Sequence, residues 1–316
     1  MKVSYNWLQT FFENPLPTPE AIKVLFERHL AEIEDMEKVG EDTMIDVNIL
    51  PDRACYALNH EAIAFELYQL LEDNKFKPKK WKYDFEPVPL LQSHIEDKTL
   101  CDRQIFVKIE GIDNTIETPS EIKEMLETVG QRSISFIVDL TNFSMLNIGQ
   151  PLHAFDTDKI SAEIFVRKAK TEERVTTLDN KEIILDDQMV VIADQHAALD
   201  IAGIKGGKKA ETTKETRNIY LSASHFDGAN IRKTSQKVGI KTDASKRFEN
   251  GLSSGDAKRG VTDFLEVLLK YQPNVKVTGY IDLDYAKREK KELIVSTSFI
   301  SEKLGIDKGA ETYKTI

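Results

Sequence analysis

The stretch DLTNFSMLNIGQPLHAFD, residues 139–156, constrains this chain more than any other. Two acids, Asp139 and Asp156, bracket Thr141, Asn142, Gln150 and His153, with apolar side chains between them. Ile134, Phe136, Ile137, Val138 and Leu140 lead into it. So apolar an approach predicts a buried strand. Gly149-Gln150-Pro151 then predicts a turn, because the proline biases the residue before it away from helical backbone. Polar groups beside a buried element lose hydration unless they are paired. The stretch is therefore either a tightly paired structural network or the wall of a binding pocket.

With 316 residues, the chain has room for two domains and a fragment of a third. The longest apolar runs are far too short to span a bilayer. The opening MKVSYNWLQTFF has no extended apolar core and no small-residue cleavage pattern, so no signal peptide is expected. Cys55 and Cys101 give neither a disulfide framework nor metal-ligand spacing, which fits a reducing cytosol. Cys55 reads as a buried, inert thiol. No HExxH or paired-histidine spacing fixes a metal. The net charge of -10 disfavours a sequence-blind nucleic-acid binder. It leaves open a local basic patch. Arg232, Lys233, Lys237, Lys241, Lys246 and Arg247 form one cluster, and Lys205, Lys208 and Lys209 another. A solvated lysine-rich surface is the plainer reading of both.

Along the chain, residues 2–12 suggest a short strand or turn. Thr18-Pro19-Glu20 suggests a capped helix, 44–50 a strand, and Asn59 the cap of a second helix. Together they make a small α/β domain, 1–85. The charged, proline-bearing segment 73–90, with Trp81, reads as a surface linker. A larger domain, 86–284, begins with a strand near Ile105 and a helix opened by a capping box of Thr118, Pro119 and Glu121 and ended by Gly130. Strands follow at 164–169, 175–178, 183–185 and 189–193, with Asp179-Asn180 marking a hairpin. Then come a glycine-bearing stretch at 197–207, a strand at 219–221 and a helix at 226–238. A polar turn at 241–245, a helix from Ser253-Asp256 and a strand at 275–283 complete it. Residues 285–316 read as a charged connector, a strand and a helix that stop without a closing element. The fold class is α+β, with substantial antiparallel sheet in the larger domain.

His153 is the best candidate for acid–base chemistry, since imidazole exchanges a proton near neutral pH. A structural histidine bonded to a backbone carbonyl is the blander alternative. Gly203, Gly206 and Gly207 do not form GxGxxG or a phosphate loop, and neither Ser245 nor Ser253 lies in a nucleophile elbow. Hydrolysis here would use held water rather than an acyl-enzyme.

The segments VDLTNFSMLNIGQPLHAFD, LDIAGIKGG and KTDASKRFENG closely resemble the beta subunits of bacterial phenylalanine–tRNA ligases. MKVSYNWLQTFF and NILPDRACYALNHEAIAFEL are similar to the family's first domain, and the order and spacing hold over nearly the whole chain. The resemblance implies an editing domain that hydrolyses tyrosine wrongly attached to phenylalanine tRNA, spanning about 95–280. It implies an alpha subunit that performs aminoacylation with ATP and magnesium, a cytoplasmic heterotetramer, and no cofactor or metal in this part and no membrane. The family's tRNA-binding insertion is bridged directly at 41–45. Residues 285–316 resemble the start of a DNA-binding-like domain, as in a fragment of a longer subunit.

Carried over by position, the pocket would be lined by Thr141, Asn142, His153, Gly203, Gly206, Thr242 and Ala244, with Arg132 nearby. His153 would orient the attacking water or the terminal ribose, and Thr141 and Asn142 would hold the aminoacyl group. The two glycines would let backbone approach the substrate, and Thr242 and Ala244 would shape the amino-acid side. Ser222 stands where the family usually has a glutamate that recognises the tyrosine hydroxyl. A shorter, neutral group there implies weaker or water-mediated discrimination of tyrosine from phenylalanine. A tRNA-positioning scaffold with a decayed pocket is the competing reading. An unrelated sugar- or peptide-binding module would require the long ordered match to be accidental.

Overall fold

A computed structural model describes residues 1–71, 74–77, 93–161, 163–287 and 292–315. Most of the expected linker at 73–90, Trp81 included, lies outside them. The chain divides into two compact units, Met1–Tyr285 and Ala286–Ile316.

The first unit opens with β1 (Lys2–Ser4) running straight into α1 (Tyr5–Gln9), because the Ser4 hydroxyl accepts the Trp7 N–H at 2.9 Å and caps the helix. Thr18 caps α2 (Pro19–His29) as expected. β2 (Ile33–Val39) and β3 (Asp42–Val47) form a hairpin, and β1 adds to β3 in a three-stranded antiparallel sheet. α3 (His60–Leu70) starts at Asn59, whose side chain accepts the Ala62 N–H. Cys55 is exposed, not buried: it falls in the turn before this cap, off the helix face that packs inward.

β4 (Cys101–Glu110) is followed by α4 (Ser120–Thr128), α5 (Phe136–Ile148) and β5 (Leu152–Asp156). Here the structure corrects two expectations. The apolar run at 134–140 does not form a strand. Ile134 is exposed, and helix begins at Phe136 and runs thirteen residues. α5 is buried on most of its surface, so the periodicity that marks a half-buried helix is absent from its sequence. Thr118 makes no capping box. Its hydroxyl donates to the buried Asp139, which also accepts from the Ser133 hydroxyl at 2.6 Å and the Ile134 N–H at 2.8 Å. Glu121 instead meets Lys270 at 2.6 Å. Gly149, at φ +94°, ends α5 in the left-handed region, and a Cβ there would lie 2.7 Å from the Asn59 amide.

β6 (Ile164–Lys168) pairs with β9 (Val190–Asp194). Between them, β7 (Arg174–Thr176) and β8 (Glu182–Ile184) make the expected hairpin, with Asn180 at φ +63° in its turn. β10 (Asp200–Ile201) and β11 (Lys205–Gly206) form a tight ribbon. β12 (Asn218–Phe226) then precedes α6 (Gly228–Val238), α7 (Asp243–Glu249), α8 (Asp256–Tyr271) and β13 (Lys276–Asp284). The polar turn expected at 241–245 is thus the start of α7, capped reciprocally by Thr242 and Ser245.

The central sheet is antiparallel, in the order β13-β4-β12-β5. Alternation along its strands gives it two apolar faces. Ile105, Val107, Ile109, Ile219, Leu221, Ala223 and Ala154 join one core with Leu140, Val261, Phe264 and Leu265 of α5 and α8. Phe106, Tyr220 and Phe155 face a second core with residues of β6, β9 and β10. Gln104, Ser222, Ser224 and His153 share the parity of this second face.

The second unit holds α9 (Thr297–Leu304), capped by Ser296, and α10 (Ala310–Thr315). The strand expected at its start is not formed: 292–296 have no regular structure and no pairing partner.

Trp7 ties the first helix to the rest of its unit. Its ring stacks on His60 at 3.9 Å and on Phe143 at 4.8 Å, and its Nε1 donates to Asn147 at 3.0 Å. Asn147 in turn donates to Asp263 on α8 at 2.9 Å. Trp7→Ala is expected to cost about 3–5 kcal/mol of unfolding free energy, from the cavity left behind and the carbonyl left without its donor. Urea denaturation of the purified variant measures this, and a loss under about 1 kcal/mol would mean the contacts are not limiting.

Candidate functional site

The second face of the sheet carries a cavity of about 430 Å³, open mouth included. β5 supplies Leu152 and His153, preceded by Pro151. β12 supplies Ser222, Ser224 and Phe226. β9, β10, β11 and the turn between them supply Ile192, Asp200, Ile201, Gly203, Ile204, Lys205 and Gly206, and α7 supplies Ala244 and Phe248. His153 lies directly opposite Ser222 in the antiparallel pairing of β5 with β12.

The imidazole of His153 lies against Gly206. A Cβ built on Gly206 would sit 2.6 Å from its Cε1, so only glycine lets the two elements meet this closely. Phe155 touches the ring edge-to-face at 4.5 Å. Burial lowers the His153 pKa to about 4, and the ring is neutral at pH 7. Other histidines behave differently. His60 has both nitrogens engaged, with Ser4 N–H at 3.1 Å and Leu146 O at 2.8 Å, and His225 is held by Asp102 and Leu252 O. No such partner for the His153 nitrogens occurs among the described residues, which leaves the ring able to bind a water or a ligand hydroxyl.

Beneath the cavity runs a buried polar chain. The Gln104 amide donates to Ser222 Oγ at 2.9 Å, while Ser224 Oγ donates to Gln104 Oε1 at 2.5 Å. Ser222 is thus an acceptor within the protein, and its own O–H remains to donate toward the cavity. Asp200 was not singled out by sequence. Its carboxyl is buried, and Oδ1 accepts the Ile192 N–H at 2.9 Å. Burial pushes its pKa up to about 7. An acid set between Leu199 and Ile201 was the available signal, hidden by the loop-like glycines that follow.

The structure brings His153, Gly203, Gly206, Ser222 and Ala244 to this one cavity. Thr242 acts on its wall: its hydroxyl donates to Ile204 O at 3.0 Å, and it lines a separate depression with Lys241 and Lys246. Thr141 and Asn142 lie on α5 and not in the lining. The Thr141 hydroxyl donates back to Val138 O at 2.7 Å. Arg132 is exposed in the loop before α5. Gly203, at φ +69°, meets Ile231, Phe248 and Phe226, so a Cβ there would strike packed side chains. Arg247 is buried and leaves the expected basic cluster.

Residues 100–273, more than half the chain, match the B3/4 domain model and contain every residue of the cavity. The chain belongs to the B3/4 domain family. Curated relatives of this B3/4 chain are phenylalanine–tRNA ligase beta subunits. The one from Carboxydothermus hydrogenoformans is 33% identical over 88% of this chain and 35% of its own length. That from Aquifex aeolicus is 35% identical over 73% of this chain and 29% of its own. The chain spans about a third of the length of these bacterial beta subunits. Among solved structures, an N-terminal fragment of the phenylalanyl-tRNA synthetase beta subunit from Pyrococcus horikoshii aligns over 98% of this chain and 86% of its own, at 13% identity and a TM-score of 0.47. Among the described residues no helix is long and apolar enough to cross a membrane, and no group of three acids, cysteines or histidines could hold a metal ion.

Proposed function

We propose that this chain is the editing part of a phenylalanine–tRNA ligase beta subunit, which hydrolyses tyrosine from mischarged phenylalanine tRNA. One observation carries the reading. In the B3/4 stretch, an imidazole with no hydrogen bond among the described residues closes on a glycine beside an apolar recess floored by buried hydroxyls. Water attacks the ester carbonyl, the new C–O bond forms, and the bond to the ribose oxygen breaks with that oxygen taking up a proton. Neutral His153 accepts a hydrogen bond from the water or from the ribose hydroxyl and fixes its position. A group so reluctant to hold a proton is a weak general base at neutral pH, so its part is orientation. Ile192, Ile201, Ile204, Phe226 and Phe248 take the aromatic side chain and keep bulk water away from it. Aminoacylation, with ATP and magnesium, belongs to the alpha subunit, and no residue of this chain is assigned to it.

The placement of Thr141 and Asn142 outside the lining favours a second reading, a scaffold that positions tRNA without hydrolysis. Incubation with tyrosyl and phenylalanyl esters of phenylalanine tRNA separates the two. Release of tyrosine well above the spontaneous rate supports editing; release at the spontaneous rate for both esters leaves the scaffold. Exposed lysines would supply the grip on tRNA in either case, and binding would then weaken steeply with salt.

A further inference from the structure

The polar groups of the cavity are graded in depth. His153, Lys205 and Gly206 are half-buried, whereas Asp200, Ser222 and Ser224 are each at most 5% exposed. Among the described residues, Asp200 is the only carboxylate in the lining. One of its oxygens is engaged by the Ile192 N–H, and no protein partner for Oδ2 occurs among the described residues. Lys205, the nearest lining cation in sequence, has its ammonium 3.9 Å from Asp179 instead. The Asp200 Cα is paired with Gly206, the residue against which His153 closes, so carboxyl and imidazole belong to the same small chamber. A buried acceptor with a free oxygen, among isoleucine and phenylalanine side chains, is complete only when a donor on an otherwise apolar group meets it.

We propose that Asp200 is the specificity-determining residue of this cavity: its free carboxylate oxygen accepts the hydrogen bond of the phenolic hydroxyl at the tip of an aromatic aminoacyl group, with Ser222 donating to the same oxygen atom of the ligand. The proposal rests on the editing reading for the identity of the ligand. Depth favours the side-chain tip over the α-ammonium, because the ammonium lies next to the ester and therefore beside His153 at the mouth. A carboxyl whose ionisation is opposed by burial gains more than a solvated one from such a donor. The acceptor for tyrosine thus comes from the β10–β11 ribbon, and the short serine at 222 does not by itself weaken discrimination.

Non-hydrolysable amide analogues of aminoacyl-adenosine test this without requiring turnover. Tyrosyl and 4-fluorophenylalanyl analogues have rings of similar size but only the first can donate. In calorimetric titration of the unmodified full chain, the tyrosyl analogue is expected to bind at least about tenfold more tightly. In Asp200→Asn the ratio falls several-fold, and in Asp200→Ala it approaches one, with the fluoro analogue bound as well as before. Equal affinities in the unmodified chain, or no binding of either analogue, would overturn the proposal. So would a ratio that survives at position 200 and disappears in Ser222→Ala, or an equal loss of both analogues, which would assign the carboxylate to the ammonium. Ester hydrolysis is measured in parallel: selective analogue binding without hydrolysis would reject the editing activity while leaving this assignment standing.

Discussion

His153→Ala is expected to slow hydrolysis of the tyrosyl ester at least about a hundredfold while leaving the fold intact. The ring is half-buried and carries no hydrogen bond among the described residues, so its removal leaves no orphaned partner. What is lost is the group that fixes the water or the ribose hydroxyl, and misplacement of a reacting atom by about 1 Å costs on that order. With its pKa lowered to about 4, His153 stays neutral across pH 5.5 to 8, so it contributes no inflection to the rate profile there. Activity that depends on it declines only as pH falls toward about 4, where protonation removes the acceptor. Gly206→Ala attacks the same ring from outside, because the added methyl would lie 2.6 Å from Cε1 and displace it. Single-turnover deacylation of both variants, with circular dichroism as the folding control, measures this. A rate within about threefold of the unmodified chain would remove His153 from the mechanism.

Much of the architecture was legible because it follows from local chemistry. Thr18, Asn59 and the Asp179-Asn180 turn mark their elements through hydrogen bonds made within a few residues. The strands at 164–168 and 190–194 announce themselves by branched apolar side chains. α5 was hidden for the opposite reason: a helix enclosed on nearly all sides looks like any buried apolar run. Thr118 shows how a correct local signal can be overridden, since a buried aspartate 21 residues later offered its hydroxyl a charged acceptor. The cavity joins β5, β12, the β10–β11 ribbon and α7, and periodicity carries no information about which strands pair across such distances. Within it, Asp200 escaped notice because its significance is its burial, which only the tertiary structure reveals.

Asp200→Asn is expected to stabilise the fold by a few kcal/mol at pH 8, even though it costs ligand discrimination. The asparagine oxygen can still accept the Ile192 N–H, while the expense of an ionised carboxyl in an apolar chamber disappears. The substitution also changes how stability responds to acid. His60 and His153, with pKa values lowered to about 3 and about 4, stay neutral in the folded chain and gain protons on unfolding below about pH 6.5. Each therefore makes stability fall as pH falls. Asp200, raised to about 7, does the reverse, because the folded chain holds a proton that the unfolded chain releases down to the ordinary carboxyl range near 3.8. Counting these three groups, between about pH 5.5 and 4.5 the unfolded state thus binds close to one net proton more, from two imidazoles less one carboxyl, a slope of about 1.4 kcal/mol per pH unit. Without the carboxyl the slope becomes about 2.7 kcal/mol per pH unit over the same window, so the variant's advantage is largest at pH 8 and fades toward pH 4.5. Urea denaturation followed by far-UV circular dichroism at half-unit steps of pH measures both slopes. Parallel curves for the two proteins would show that Asp200 is ionised in the folded chain throughout, in which case the chamber solvates its carboxylate far better than its lining of isoleucine and phenylalanine allows.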